Sequence, residues 1–326
     1  MVETLKQAEL CTRPLNTSCT STPVSPKATL IKTLLYCVAL LTVILNLLVV
    51  ISISHFRQLH TSTNVFLLSL AVSDLLVGLV VMPAAIATLQ SCWFLGEITC
   101  ALWILFSCIL TSSSIGSMVL ISVDRYVAIC APLHYSSMIT PRRAKICVSL
   151  CWICSVLYNF IILKDFLLQI DMLNPCPQEC TLIISYISGA VDFILTFFSP
   201  VTVIIVLYMR VFVVAVSQAR VMRSQIVAVK SRTLTVVVKK SEMRAARTLG
   251  IVLLVFILCL CPYYCPSLVG EDTTVDGSFA QLWLFFCNSS LNPLIYAFFY
   301  PWFRKSIKLI ASLQILQPGS CEAKIM

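Results

Sequence analysis

The sequence predicts an all-α integral membrane protein: a bundle of seven transmembrane helices followed by a short amphipathic helix on the cytoplasmic side. Three observations lead there. Apolar residues make up 59% of the 326-residue chain and charged residues only 11%, where a soluble domain carries roughly half and a quarter. Apolar stretches of about 20 residues, the length that crosses a hydrocarbon core, recur through the whole chain. Lys and Arg are divided so unequally between alternate loops that the chain has a readable inside and outside.

In chain order the spans fall near 32–54, 64–89, 98–130, 144–163, 184–213, 246–268 and 279–300. Residues 1–29 are polar, contain proline and lack an apolar core, so they read as an exposed tail and not as a cleavable signal. The first span then serves for insertion. Asn16-Thr17-Ser18 is a glycosylation acceptor in that tail. The second span, LSLAVSDLLVG at its centre, carries Asp74, and the third runs from Cys100 to Asp124-Arg125-Tyr126 at the cytoplasmic surface. The fifth carries Asp192 eight residues before Pro200. The seventh is interrupted by Asn292-Pro293 and ends at Tyr296. Proline there frees a carbonyl and kinks the helix, and neighbouring groups must satisfy what it frees. A turn then leads to an amphipathic helix with Arg304, Lys305 and Lys308 on its polar side. Asn288-Ser289-Ser290 repeats the acceptor pattern but lies within the last span, so it is discounted. The chain thus divides into a tail (1–29), a membrane domain (30–301), and the amphipathic helix with a short cytoplasmic tail (302–326).

Charge sets the orientation. Lys6, Arg13, Lys27, Lys32 and Lys164 fall on one side, and the remaining 18 of 23 basic residues on the other, dominated by the loop from Arg210 to Arg247. The N-terminus is therefore expected outside and the C-terminus in the cytoplasm. The net charge of +9 needs no nucleic acid; it faces anionic membrane lipid and an intracellular partner. Glu3, Glu9, Glu97, Asp165, Asp171, Glu179, Glu271, Asp272 and Asp276 give the outer face a mild attraction for cations. Of 17 cysteines, Cys11, Cys19, Cys92, Cys100, Cys176 and Cys180 sit in the oxidising compartment. Those inside spans, such as Cys151, Cys259 and Cys287, read as small packing residues.

Ionisable groups in hydrocarbon are costly, so each is a functional candidate. Asp124-Arg125 is either ordinary helix-end charge or a latch, because Glu242 begins the sixth span at the same level. Asp74 shares its depth with Ser114, Asn288, Ser289 and Asn292, a set of oxygens suited to a hydrated Na+ or a proton relay, so a structural role that includes an ion is favoured over a purely structural one. Asp192 has no Lys or Arg in the outer halves of the spans to neutralise it. An isolated ion in low dielectric is disfavoured unless a counter-ion arrives or it protonates. A cationic ligand fills that role, with Trp103, Phe193, Tyr263, Tyr264, Trp283 and Phe286 as nearby aromatic surface. The bland alternative is a carboxylate in a wet vestibule, with aromatics that pack between helices.

Asn46, Leu70-Ala71 with Asp74, Cys100, Asp124-Arg125-Tyr126, Trp152, Pro200, Tyr208, Pro262 and Asn292-Pro293 with Tyr296 lie in order on separate spans. Over essentially its whole length the chain resembles the rhodopsin-like G-protein-coupled receptors. The last-span pattern of Asn288, Ser289, Asn292, Pro293, Tyr296, Tyr300, Trp302 and Phe303, with loop cysteines Cys176 and Cys180, is similar to the trace amine-associated receptors. That resemblance implies a Cys100–Cys180 disulfide that ties the loop over the bundle mouth, with Cys176 left to pair with Cys11 or Cys19. It implies an inactive-state latch between Arg125 and Glu242, a sodium pocket of Asp74, Ser114, Asn288, Ser289 and Asn292, and a packing switch of Ile115, Pro200 and Phe256. It also implies a heterotrimeric G protein of the stimulatory type and a place in the plasma membrane of olfactory neuron cilia. No cofactor is implied beyond the allosteric Na+.

Three departures from the family pattern are informative. Amine receptors usually anchor the ammonium on a third-span Asp eighteen residues before the Arg of D-R-Y; here that position is Ser107. The last-span Tyr that usually meets it is Phe286. Asp192 stands across the cavity instead, a relocated counter-ion that resembles the divergent fish branch of these receptors. Leu260 replaces the usual Trp of C-W-x-P, while Cys259, Cys261 and Pro262 remain, so Phe256 or Tyr263 becomes the relay. The expected ligand is therefore a small-molecule amine on Asp192, in a pocket shaped by Ser107, Cys108, Thr111 and Thr196, with Tyr263, Tyr264 and Phe286 around its body. A non-amine ligand is the alternative. Other classes fit worse. An intramembrane aspartyl protease needs two facing acids, but Asp74 and Asp192 lie at different depths. A retinal-type pump needs a last-span Lys, and none occurs between Asp276 and Arg304. A transporter is disfavoured by the lack of internal repeats.

Overall fold

The structure is a computed structural model that describes residues 26–88, 93, 95–168, 180, 182, 184–226, 250–251, 254–262, 264, 275–299, 301–323 and 325. Helix α1 (Pro26–His55) has 30 residues, about 45 Å at 1.5 Å per residue, which is longer than a hydrocarbon core of about 30 Å is thick. Helix α2 runs through Ser62–Leu76, a π turn at Val77–Val81, and Met82–Thr88. Its start is fixed by Thr61, whose hydroxyl accepts from the Asn64 amide. The π turn ends just before Pro83. Proline has no N–H for the carbonyl four residues back and clashes with it, and widening the preceding turn relieves both problems.

Helix α3 (Glu97–Cys130) is the 34-residue centre of the bundle and packs against α2, α4 and α5. A short helix, Pro132–Met138, precedes α4 (Pro141–Ile162), which is capped by Thr140. Close approach of α3 and α4 depends on Gly116, where a Cβ would lie 2.3 Å from Cys151 Sγ. Helix α5 runs through Tyr186–Asp192, a second π turn at Phe193–Phe198, and Ser199–Ile226. That turn again ends just before a proline, Pro200. Helix α5 continues well past the expected 213 because a helix leaving the membrane needs no apolar sequence to persist. Residues 250–251, 254–262 and 264 are helical and form α6. Helix α7 (Val275–Phe299) contains Pro293, and α8 (Pro301–Ala311) follows one residue later. Trp302, Phe303 and Ser306 of α8 are buried, whereas Arg304, Lys305 and Lys308 are exposed.

Five helices among the described residues are long and apolar enough to cross a membrane: Thr29–His55, Ser62–Ala87, Glu97–Cys130, Pro141–Ile162 and Tyr186–Val214. Between them, buried polar groups find one another, since hydrocarbon offers no water. Ser69 bonds Ser117 at 2.9 Å and receives the Trp152 indole at 3.0 Å, which ties α2, α3 and α4. Asn46 donates to the Ser289 carbonyl at 2.9 Å, and Thr42 bonds Ser290, which ties α1 to α7. After α8 the tail returns to the α1–α2 turn. Ile325 is 1% exposed within the core cluster that includes Phe56 and Leu59, and its amide donates to Gln58.

Candidate functional site

A cavity of about 190 Å³ opens toward one end of the bundle, lined by Trp103, Ile104, Ser107, Cys108, Thr111 and Ser112 of α3, and by Asn159, Cys180, Leu182, Asp192, Thr196, Tyr264, Phe285 and Phe286. Six of the seven residues expected around Asp192 are thus gathered with it. The seventh, Tyr263, lies outside the described residues. Cys180 is bonded to Cys100 at the mouth, with 5.6 Å between their Cα atoms. Cys11, Cys19 and Cys176 lie outside the described residues, as does Asn16. Among the described residues, Asp192 is the only charged side chain in the lining.

The carboxylate is not bare, however. Tyr158 of α4 donates to Asp192 Oδ1 at 2.8 Å, and Thr196 donates to the same oxygen at 2.8 Å. Two hydroxyls therefore converge on one carboxylate oxygen, and neither belongs to a basic residue. The partners are neutral donors and bring no opposite charge to the acid. Thr196 reaches its i−4 neighbour across the π turn, which keeps both side chains on one side of α5. Sequence reading missed Tyr158, Ser112, Asn159 and Phe285, since each is an ordinary residue of an apolar span. Ser107 and Thr111 donate to carbonyls of their own helix, at 2.7 and 2.9 Å, which leaves their oxygens able to accept. Of the other expected aromatics, Trp103 lines the cavity. Phe193 packs beside Tyr264 with ring centroids 6.4 Å apart, and Trp283 meets Phe286 edge-on at 5.6 Å.

Deeper in the bundle a smaller cavity of about 30 Å³ is lined by Asp74, Ser114, Asn288 and Ser289, with Ile115, Phe256 and Leu260. Ser107, Thr111, Phe285 and Phe286 line both cavities, so the two are neighbours. Asn292 donates to Asp74 Oδ2 at 2.9 Å. Asp74 Oδ1, Ser114 Oγ, Asn288 Oδ1 and Asn292 Oδ1 are buried without a hydrogen-bond partner among the described residues. One carboxylate and several neutral oxygens around a space for one or two waters fit a small hard cation.

Ile115 and Phe256 belong to one buried cluster, to which α5 contributes Phe197, Val201 and Ile204 on either side of Pro200. At the far end Asp124 is fully buried and accepts from Thr63 at 2.8 Å, Tyr135 at 2.9 Å and Arg125 Nε at 3.0 Å. Arg125 also donates to Thr63. Burial and, next, the Asp124 charge raise the Tyr135 phenol above its ordinary value, so it stays a donor. Tyr126 packs near the contact of Ile129 with Val211, and Tyr208 lies against α6 with its ring 3.3 Å from where a Cβ on Gly250 would stand. Glu242 lies outside the described residues. Tyr296 is helical, but its side chain is not described.

The family profile of rhodopsin-type seven-transmembrane receptors matches residues 45–296. Among curated proteins, the chain is 36% identical to trace amine-associated receptor 13c of Danio rerio, over 98% of this chain and 96% of the relative. It is 39% identical to trace amine-associated receptor 7e of Mus musculus over 96% and 91%. To trace amine-associated receptor 8a of Rattus norvegicus it is 37% identical over 96% and 95%.

Proposed function

Because the chain belongs to the rhodopsin family of seven-transmembrane receptors, and within it to the trace amine-associated receptors, we propose that it senses extracellular amines through Asp192. It is a multi-pass membrane receptor that works through a heterotrimeric G protein, not an enzyme. A single observation carries the ligand reading: among the described residues, Asp192 is the only charge lining a cavity that also holds hydroxyl, apolar and aromatic side chains. An ammonium entering under the Cys100–Cys180 loop pairs with Asp192 while its body rests against Tyr264, Phe285 and Phe286, a surface attractive to cations and apolar groups alike. Ser107, Cys108, Thr111 and Thr196 shape the polar wall.

Drawing α5 inward repacks Ile115 and Phe256 around Pro200, and α6 swings out, separating its expected latch residue Glu242 from Arg125. The ligand shifts this equilibrium only through its preference for the open arrangement. A preference of about 100-fold corresponds to about 2.7 kcal/mol, in scale with one desolvated ion pair and aromatic contact. Asp74, Ser114, Asn288, Ser289 and Asn292 hold an allosteric Na+ that favours the closed arrangement. The N-terminus faces outward and carries a glycan on Asn16, the basic side faces anionic lipid and a stimulatory G protein, and the receptor resides in the plasma membrane of olfactory cilia. A cAMP reporter assay of the full chain against primary amines, tertiary amines and diamines tests the reading. Responses confined to amines support it, and silence toward every amine with activation by a neutral ligand refutes it.

A further inference from the structure

We infer that Tyr158 is a positioning residue for amine recognition: its hydroxyl, with that of Thr196, saturates Oδ1 of Asp192 and turns the carboxylate into a one-oxygen anchor. This rests on the reading of Asp192 as the ammonium site. Tyr158 Oη and Thr196 Oγ1 both sit 2.8 Å from Oδ1, and 3.2 Å from each other. Thr196 has one proton, and the charged acceptor at the shorter distance takes it. Oδ2 receives no hydrogen bond from any described residue.

Two consequences follow from this geometry. Neutral donors lower the cost of holding a carboxylate in low dielectric without cancelling its charge, as Lys or Arg would. The anchor therefore keeps its attraction for a cation. In addition, the ligand meets one open oxygen. A tertiary ammonium has one N–H and is fully served there, whereas a primary ammonium has three. Removing the Tyr158 hydroxyl vacates half of Oδ1's hydrogen-bonding capacity, which a primary ammonium can occupy and a tertiary one cannot. Losing Tyr158 then weakens every amine, but tertiary amines most. A donor that connects α4 to α5 also resists movement of Asp192 along the cavity wall, since Tyr158 itself is set by the α4 backbone.

The test uses 2-phenylethylamine and its N,N-dimethyl derivative on the full-length receptor, compared at matched surface expression. Tyr158→Phe keeps the ring and removes only the donor. It is expected to raise the half-maximal concentration of the dimethyl amine by about 10- to 100-fold, the usual worth of a hydrogen bond to a charged group, and that of the primary amine by a smaller factor. Thr196→Val should move the ratio in the same direction, and Thr196→Ser, which restores the donor, should return it to the wild-type value. If Tyr158→Phe leaves both potencies unchanged, or weakens both amines equally, while Asp192→Asn abolishes both responses, the positioning role is overturned and the anchor stands. If Asp192→Asn responds as the wild type does, or the wild type answers neither probe, the anchor reading fails and this inference fails with it.

Discussion

Replacing Asp124 by Asn keeps the side chain's volume at a fully buried position and removes its charge. The acid accepts from Thr63, Tyr135 and Arg125, all within 3.0 Å. A hydrogen bond to a charged acceptor is worth about 1.5–3 kcal/mol and a neutral one about half that. Three such bonds weakened by about 1 kcal/mol each set an upper limit near 3 kcal/mol. Arg125 keeps its bond to Thr63, so about 1.5–3 kcal/mol is the expected loss from the arrangement that holds Arg125 against its own helix. That corresponds to a roughly 10- to 100-fold shift toward the arrangement in which Arg125 is released. A receptor about 1% active at rest would become about 10–50% active. The assay is guanine-nucleotide exchange on added heterotrimeric G protein, in membranes normalised for receptor content and without ligand. Basal exchange that rises about 10-fold or more is the expected result. Unchanged basal exchange at matched receptor content would falsify the idea that this cluster restrains Arg125.

Two further outcomes follow from the cavities. Ser107→Asp together with Phe286→Tyr places an acid and a phenol on the wall opposite Asp192, and the ranking of amines in a dose–response panel should change, with diamines gaining; an unaltered ranking argues against Ser107 and Phe286 bounding the ligand space. Asp74→Asn removes the only carboxylate that described residues place in the smaller cavity, so replacing Na+ by a bulky organic cation should alter agonist affinity in the wild type by about 3-fold or more and in the variant not at all; equal sensitivity in both would rule out an ion at Asp74.

Much of this arrangement is legible in the sequence because hydrocarbon makes charge conspicuous. Asp74, Asp124 and Asp192 each interrupt an apolar run, and a carboxylate there is either partnered or in use. The helices are legible for the same reason, although their ends are not: α1 starts at Pro26 and α5 runs to Ile226 because the helix does not stop where the lipid does. Tyr158 was invisible because a tyrosine in an apolar span is ordinary packing, and its partner is 34 residues away on another helix. Pro83 and Pro200 mark bends, but which turn widens into a π turn is decided by how the ladder repairs itself around the missing N–H. Thr63 and Tyr135 are likewise ordinary until α2, α3 and the Pro132–Met138 helix bring them onto one carboxylate.

Amine recognition as proposed here depends on the charge of Asp192. The most direct measurement is the amine dose–response of Asp192→Asn beside the wild type, each quantified at the cell surface. The variant is expected to reach the surface normally and to answer no amine at concentrations about 100-fold above the wild-type midpoint. A variant with undiminished amine potency would contradict it.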